Sequence, residues 1–385
     1  VLKKNRKVGI LAYLEVDFGG IFQYTQSLIE ALKNDDEQDY VIFCSADDNR
    51  FDDYGLEVRK TKNAELNLLQ KVIVFFQLLF LVRKPLIFSK DQMKIFQDID
   101  IFISPYISAY PHFFLRKPFV FTLHDMQEEY FPRFFSKFER LKRKLKNKAL
   151  SKTASKILCE SSFVRNDITK FTGVNKNKVI VIPFPPVQNF SNFTFSRAKA
   201  EEIKNKYKLP EKFIFYPAQC WFHKNHIKLV EAFNEVAQEV DDVSLVLTGS
   251  QQNNYLNLMQ NIKELGLSQK VKHLGYVDYE ELPYFYKLSQ FLVMPTLFES
   301  ISIPVFEAFA LEVAVCCSKV VALPEQVGDA GIFFDPYNAD DIADKMLLYL
   351  KDEKLRIEKA KKGLKKIKKF EFQNFEKKLL KTLRS

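Results

Sequence analysis

The chain has 385 residues, of which 47% are hydrophobic and 28% charged, and its formal net charge is +10. At about 150 residues per domain this length carries two domains, and the composition excludes a disordered chain, a collagen-like fibre and a disulfide-stapled mini-protein. The five scattered cysteines (Cys44, Cys159, Cys220, Cys316 and Cys317) outline no disulfide framework and fit a reducing compartment.

No basic, apolar and small-residue leader opens the sequence, so a cytoplasmic location is expected rather than secretion. Residues 7–14 read as a buried strand, Gly19 and Gly20 as a turn, and 21–32 as a helix. The longest apolar run, 72–82, is broken by Gln77. On a helix it rises about 16 Å, half of a ~30 Å hydrocarbon core, so it reads as a buried helix and not a span. Short apolar strands follow at 40–44, 99–103, 118–123, 156–159 and 179–182, with helical stretches between them.

Charge is unevenly placed. Residues 133–156 hold ten basic residues against Glu139 alone, and 351–385 hold fourteen against five, leaving the remainder at −8. In the first segment Phe134, Phe138, Leu141, Leu145 and Ala149 recur at helical spacing. It fits either an amphipathic helix lying on anionic lipid at the inner face of the cytoplasmic membrane or a solvated surface helix. The second reads as a terminal helix with Leu364, Ile367, Phe370 and Leu379 on one face. No nucleic-acid motif accompanies either run, so a nucleic-acid partner is not expected.

Pro183, Pro185 and Pro186 stop regular structure, and 188–196 reads as linker. Strands then resume at 213–216, 244–247, 271–274, 291–294 and 313–316, with helices at 227–240 and 342–350. This alternation implies βαβ units and a parallel sheet in each half. The expected architecture is α/β, with two doubly wound Rossmann-like domains (1–185 and 186–370) facing each other across a cleft. Residues 371–385 form a C-terminal helix that can pack back on the first domain. Ligands of such sheets bind beyond the carboxyl ends of the strands.

The chemistry concentrates after residue 216. Glu299 and Glu307 flank a loop whose amides at Ser300, Ile301 and Ser302 precede a helix starting near Ile303. Unpaired donors at a helix N-terminus suit an anion, and a carboxylate one turn inside can accept sugar hydroxyls. Cys220, His223 and His226 have metal-like spacing but lack a fourth ligand, so no metal is assigned. Trp221 and Phe222 fit either a cleft wall or core.

The stretches PTLFESISIPVFEAFALEV and LPEQVGDAGIFFDP, with YPAQCWFHKNHIKLVEAF before them, resemble the retaining nucleotide-sugar glycosyltransferases of the group 1 (family 4) class, which have the GT-B fold. Nearer the start, FGGIFQYTQSLIEAL and FTLHD resemble that family's glycine loop and cleft histidine. The resemblance implies an acceptor-side first domain and a nucleotide-sugar-binding second domain. It assigns catalysis to Lys224 on the donor diphosphate, Glu299 on donor-sugar hydroxyls and His124 beside the reacting sugar. Substrate binding falls to Gly19, Gly20, Gln219, Ser300, Ile301, Ser302 and Glu307, the last on the donor ribose. It implies no obligatory metal or cofactor and partners limited to a nucleoside diphosphate sugar and a glycan or lipid-linked acceptor.

The sequence departs from that family at Gln219, where an arginine is usual, and at Ser300 and Ser302, where glycines are. The Gln-x-x-x-His-Lys-Asn-His run leans toward mannosyl donors. The expected activity is hexosyl transfer to a hydroxyl of a lipid-linked or growing surface glycan. The alternatives are a sugar-nucleotide epimerase or phosphorylase on the same fold, and a non-catalytic nucleotide-sugar-binding protein.

Overall fold

The computed structural model describes residues 5–14, 19–61, 66–184, 190 and 192–384. They form two compact units: one of residues 1–185 with 372–385, the other of residues 186–371.

The first unit is built on β1 (Arg6–Leu11), β2 (Gln38–Ser45), β3 (Glu57–Thr61), β4 (Ile101–Ser104), β5 (Phe119–Thr122), β6 (Lys156–Cys159) and β7 (Val179–Val181), in spatial order β3-β2-β1-β4-β5-β6-β7. All of its pairs are parallel. β4 and β5 are buried at every residue, the mark of a sheet covered on both faces. The second unit carries β8 (Phe213–Pro217), β9 (Ser244–Thr248), β10 (Val271–His273), β11 (Leu292–Met294), β12 (Val315–Ser318) and β13 (Gly331–Phe334), in the order β10-β9-β8-β11-β12-β13, again parallel. In each sheet the order reverses once, between β1 and β4 and between β8 and β11. Loops leaving the two strands of such a pair diverge and leave a crevice at their carboxyl ends.

Several expectations change. Gly19 and Gly20 are not a separate turn but the first residues of the helix Gly19–Leu32. The edge strand β3, sequence EVRKT, has no apolar run to announce it. The run 72–82 is not a buried helix: the helix is Leu68–Leu79, started by an Asn67–Gln70 capping box, and only Gln77 and Leu78 in it are buried. The single terminal helix is two. Glu353–Ile367 packs in the second unit, a short 3-10 turn follows at Lys368–Phe370, and Phe372–Arg384 packs on Gly19–Leu32 in the first. Residues 188, 189 and 191 of the expected linker, and Pro185 and Pro186 before it, lie outside the described residues.

Candidate active site

The second unit gathers its chemistry at the β8/β11 reversal. β8 runs into a loop whose last turn, Phe222–Lys224, ends in Asn225, and the helix His226–Glu239 follows. Asn225 takes the left-handed conformation, φ 61°, which asparagine tolerates better than most residues. Its side-chain amide donates to the carbonyls of Pro295 (3.0 Å) and Pro336 (2.8 Å), tying this loop to those after β11 and β13. The Tyr216 hydroxyl donates to the Lys224 carbonyl at 2.8 Å. Leu297 N donates to the His223 carbonyl at 2.7 Å. The loop is thus held on three sides, and Lys224 Nζ meets Glu299 Oε2 at 2.6 Å, both side chains mostly buried.

Burial pushes both His223 and His226 down to about 3, so neither is charged near neutrality and Lys224 is the cation of this run. His226 Nε2 faces the Ala218 carbonyl at 3.1 Å, while Cys220 Sγ turns to His273 at 3.2 Å. Among the described residues no three His, Cys, Asp or Glu side chains gather as a metal site. Gln219 Oε1 accepts from Trp221 Nε1 at 2.8 Å, and Trp221 and Phe222 are exposed rather than core.

Glu307 is buried in the helix Ile303–Ala310, where Tyr286 Oη donates to its Oε2 at 2.6 Å. Burial pushes its carboxyl up to about 7, against the pull of the Tyr286 hydroxyl and then of Tyr279. Ser300 and Ile301 sit in the partly exposed bend before this helix. Ser302 corrects the expectation that its amide awaits a ligand: Ser302 N donates to Gln326 Oε1 at 2.8 Å, and Gln326 Nε2 returns a bond to the Ser302 carbonyl at 2.6 Å. Ser302 caps the helix through Val305 N and is fully buried.

In the first unit, Gly19 and Gly20 place a helix N-terminus beyond β1, where backbone N–H groups favour an anion. His124 follows β5, but both ring nitrogens are engaged, Nδ1 by Glu160 Oε1 and Nε2 by the Pro105 carbonyl at 2.7 Å. Burial pulls the imidazole down; the charge and hydrogen bond of Glu160, then the Pro105 carbonyl, outweigh it and hold His124 above its ordinary value. Two acceptors on two nitrogens fit an imidazolium, so His124 cannot reach a sugar hydroxyl through a ring nitrogen without giving up a partner. Tyr24 stands edge-on to it, ring centroids 5.0 Å apart.

Sequence reasoning missed Glu160, Tyr286, Gln326, Asn225 and Gly249. Gly249 follows β9 with φ 130°, and a Cβ there would lie 2.6 Å from the Ala218 carbonyl group. Its only signal in the sequence is a glycine at the end of an apolar strand.

Residues 199–366 match the family described as glycosyl transferases group 1, and residues 18–185 match glycosyltransferase family 4. Over 275 residues the chain is 28% identical to O-antigen chain mannosyltransferase B of Escherichia coli, spanning 70% of this chain and 71% of that protein. It is 26% identical over 224 residues to the serotype-specific mannosyltransferase WbdA of E. coli, 57% of this chain but only 28% of that longer protein. Among solved structures, Anabaena HepE in complex with UDP and glucose superposes with a TM-score of 0.78 at 17% identity, covering 99% of this chain and 100% of that one. A glycosyltransferase from Rickettsia africae superposes at 0.73 and 15%, covering 99% and 98%. The two parallel sheets are those of the GT-B fold.

Proposed function

Since the chain belongs to the group 1 glycosyltransferases and is itself a glycosyltransferase, we propose that it moves a hexose, with retention, from a nucleoside diphosphate sugar to a hydroxyl of a lipid-linked or growing surface glycan. The observation that carries this reading is the Lys224–Glu299 pair at the β8/β11 reversal. A cation placed where negative charge grows on a leaving diphosphate is the largest single contribution such a site can make. In the ligand-free protein Glu299 neutralises Lys224. The donor diphosphate takes its place on Lys224, and Glu299 accepts from sugar hydroxyls.

The bond from the anomeric carbon to the phosphate oxygen breaks through an oxocarbenium-like transition state. The acceptor oxygen bonds to the same face, and its proton passes to the departing phosphate oxygen. Glu307 takes the ribose hydroxyls, and the amides of Ser300 and Ile301 serve the phosphate or sugar. Gly19 and Gly20 let the backbone approach the donor phosphates. His124, held as an imidazolium by Glu160, is the first unit's group for the reacting sugar, and reaching a sugar hydroxyl costs it one of its two partners. Charge neutralisation falls to Lys224 and the helix-end amides, so the scheme calls for no obligatory metal.

The names of the curated relatives support mannose as the hexose and a surface glycan as the acceptor. Thermal unfolding with UDP, GDP, ADP and TDP, on wild type and Glu307→Gln, tests the donor site. At 100 times its dissociation constant a bound nucleotide adds about 2.7 kcal/mol to folded stability. One nucleotide should stabilise wild type and lose most of that effect in the variant. No stabilisation by any of the four would contradict the reading.

A further inference from the structure

The helix Leu68–Leu79 of the first unit turns an apolar arc outward. Leu68 is 80% exposed, Leu69 70% and Phe76 50%, and Val72 and Leu79 are exposed as well. At 100° per residue these five positions fall within one 100° sector, so they make a stripe and not a scatter. Phe80, 68% exposed, extends it, its ring stacked on that of Phe76 with centroids 6.2 Å apart. This helix packs beside Lys137–Thr153. The second helix is divided along its length. Asn147, Ala149 and Leu150 are buried, whereas Phe138, 72% exposed, and Leu141 face outward. Large apolar side chains gathered this way on a soluble surface mark an interaction site.

The surrounding charge selects the partner. Lys71, Lys137, Lys142, Lys144 and Lys148 are exposed along these two helices, and Lys84 is exposed in the stretch that follows the first. Burial pushes Lys146 down to about 8, with a further contribution from the neighbouring charges of Lys142 and Arg143. A second copy of this chain, docked symmetrically, would set these lysines against their own images. An anionic bilayer surface offers the complement of both features, acyl chains for the aromatic stripe and headgroup phosphates for the lysines.

We infer that the helices Leu68–Leu79 and Lys137–Thr153 form one docking surface for an anionic lipid bilayer, seated by Phe76, Phe80, Phe138 and Leu141 and held by the lysines around them. The surface does not depend on the donor-site assignment. No helix among the described residues is long and apolar enough to cross a membrane, so the contact is interfacial.

Flotation of the full chain with vesicles of phosphatidylcholine alone, or with 30 mol% phosphatidylglycerol, tests it. Binding should need the anionic lipid and fall as salt rises from 0.1 to 1 M, where the screening length drops from about 10 Å to about 3 Å. Lys144→Gln should weaken partitioning about five-fold, and Phe76→Gln with Phe138→Gln should abolish it. Both variants should keep the wild-type melting temperature, since the altered side chains lie outside the core. Equal binding to neutral vesicles, no binding to anionic ones, or unchanged binding by the double variant would overturn the proposal. So would light scattering that shows a dimer dispersed by the same two substitutions, which would assign the face to self-association.

Discussion

Glu307 takes up a proton more readily in the folded protein than in the unfolded one, because burial raises its carboxyl from 4.5 to about 7. The stability that goes with the neutral form is therefore complete below about 4.5 and is lost as pH rises toward 7. The loss is on the order of 3 kcal/mol. Glu307→Gln, which cannot ionise, should flatten the fall in melting temperature between those limits, and an unchanged pH profile would contradict the burial argument. His124 runs on the same rule, since its raised value makes its contribution complete below the ordinary histidine range and lost as pH climbs past the folded value. Glu160→Gln removes the charge that offsets burial, so the His124 imidazole resonance should titrate at lower pH than in wild type. Gly249 carries a steric load instead. Gly249→Ala should cost about 2 kcal/mol or more in denaturant unfolding, because the new methyl meets the Ala218 carbonyl at a left-handed φ.

The helix Ile303–Ala310 shows how an element is aimed at a site. Its N-terminus is fixed by Ser302, and Ser302 in turn by the two bonds from Gln326. Gln326→Leu would leave the buried Ser302 N–H unpaired, at about 1–3 kcal/mol, while the Ser302 carbonyl keeps only its bond from Phe306 N at 3.4 Å. Nucleotide affinity should fall with stability, and wild-type affinity in that variant would show that the clamp does not set the loop. At this scale the sequence is readable where an element is buried on both faces. The strands Ile101–Ser104 and Phe119–Thr122 are continuous apolar runs with nothing else to be. Glu57–Thr61 escaped because an edge strand half open to solvent needs no apolar run. Leu68–Leu79 is exposed where a buried helix is expected, because hydrophobicity signals a partner without saying whether that partner is the protein's own core. The site divides the same way. Lys224 and Glu299 stood out through the residues around them, whereas Glu160, Tyr286 and Gln326 are defined by partners 36, 21 and 24 residues away, which no local pattern records.

Across the whole molecule, the chain leaves the first unit for the second and returns to it after Glu371. Phe375, Leu379 and Leu383 of the last helix are buried, and Arg384 pairs with Asp35 and Glu37. Each buried apolar side chain is worth roughly 1.5–3 kcal/mol. Deleting residues 372–385 should therefore raise hydrogen exchange in the helix Gly19–Leu32 while leaving β8 and its neighbours protected. Uniform loss of protection in both units would contradict this division. The two basic segments serve different units: one flanks the exposed stripe of the first, and much of the other lies on Glu353–Ile367 in the second.

The central claim is that Lys224 draws the diphosphate away from the sugar. Turnover of the stabilising sugar nucleotide on a glycan acceptor, with the anomeric configuration of the product read by NMR for wild type and Lys224→Ala, tests it most directly. The account predicts a product that keeps the donor's configuration and a variant slower by about 10²–10³. An inverted product, or a variant that turns over at the wild-type rate, would contradict it.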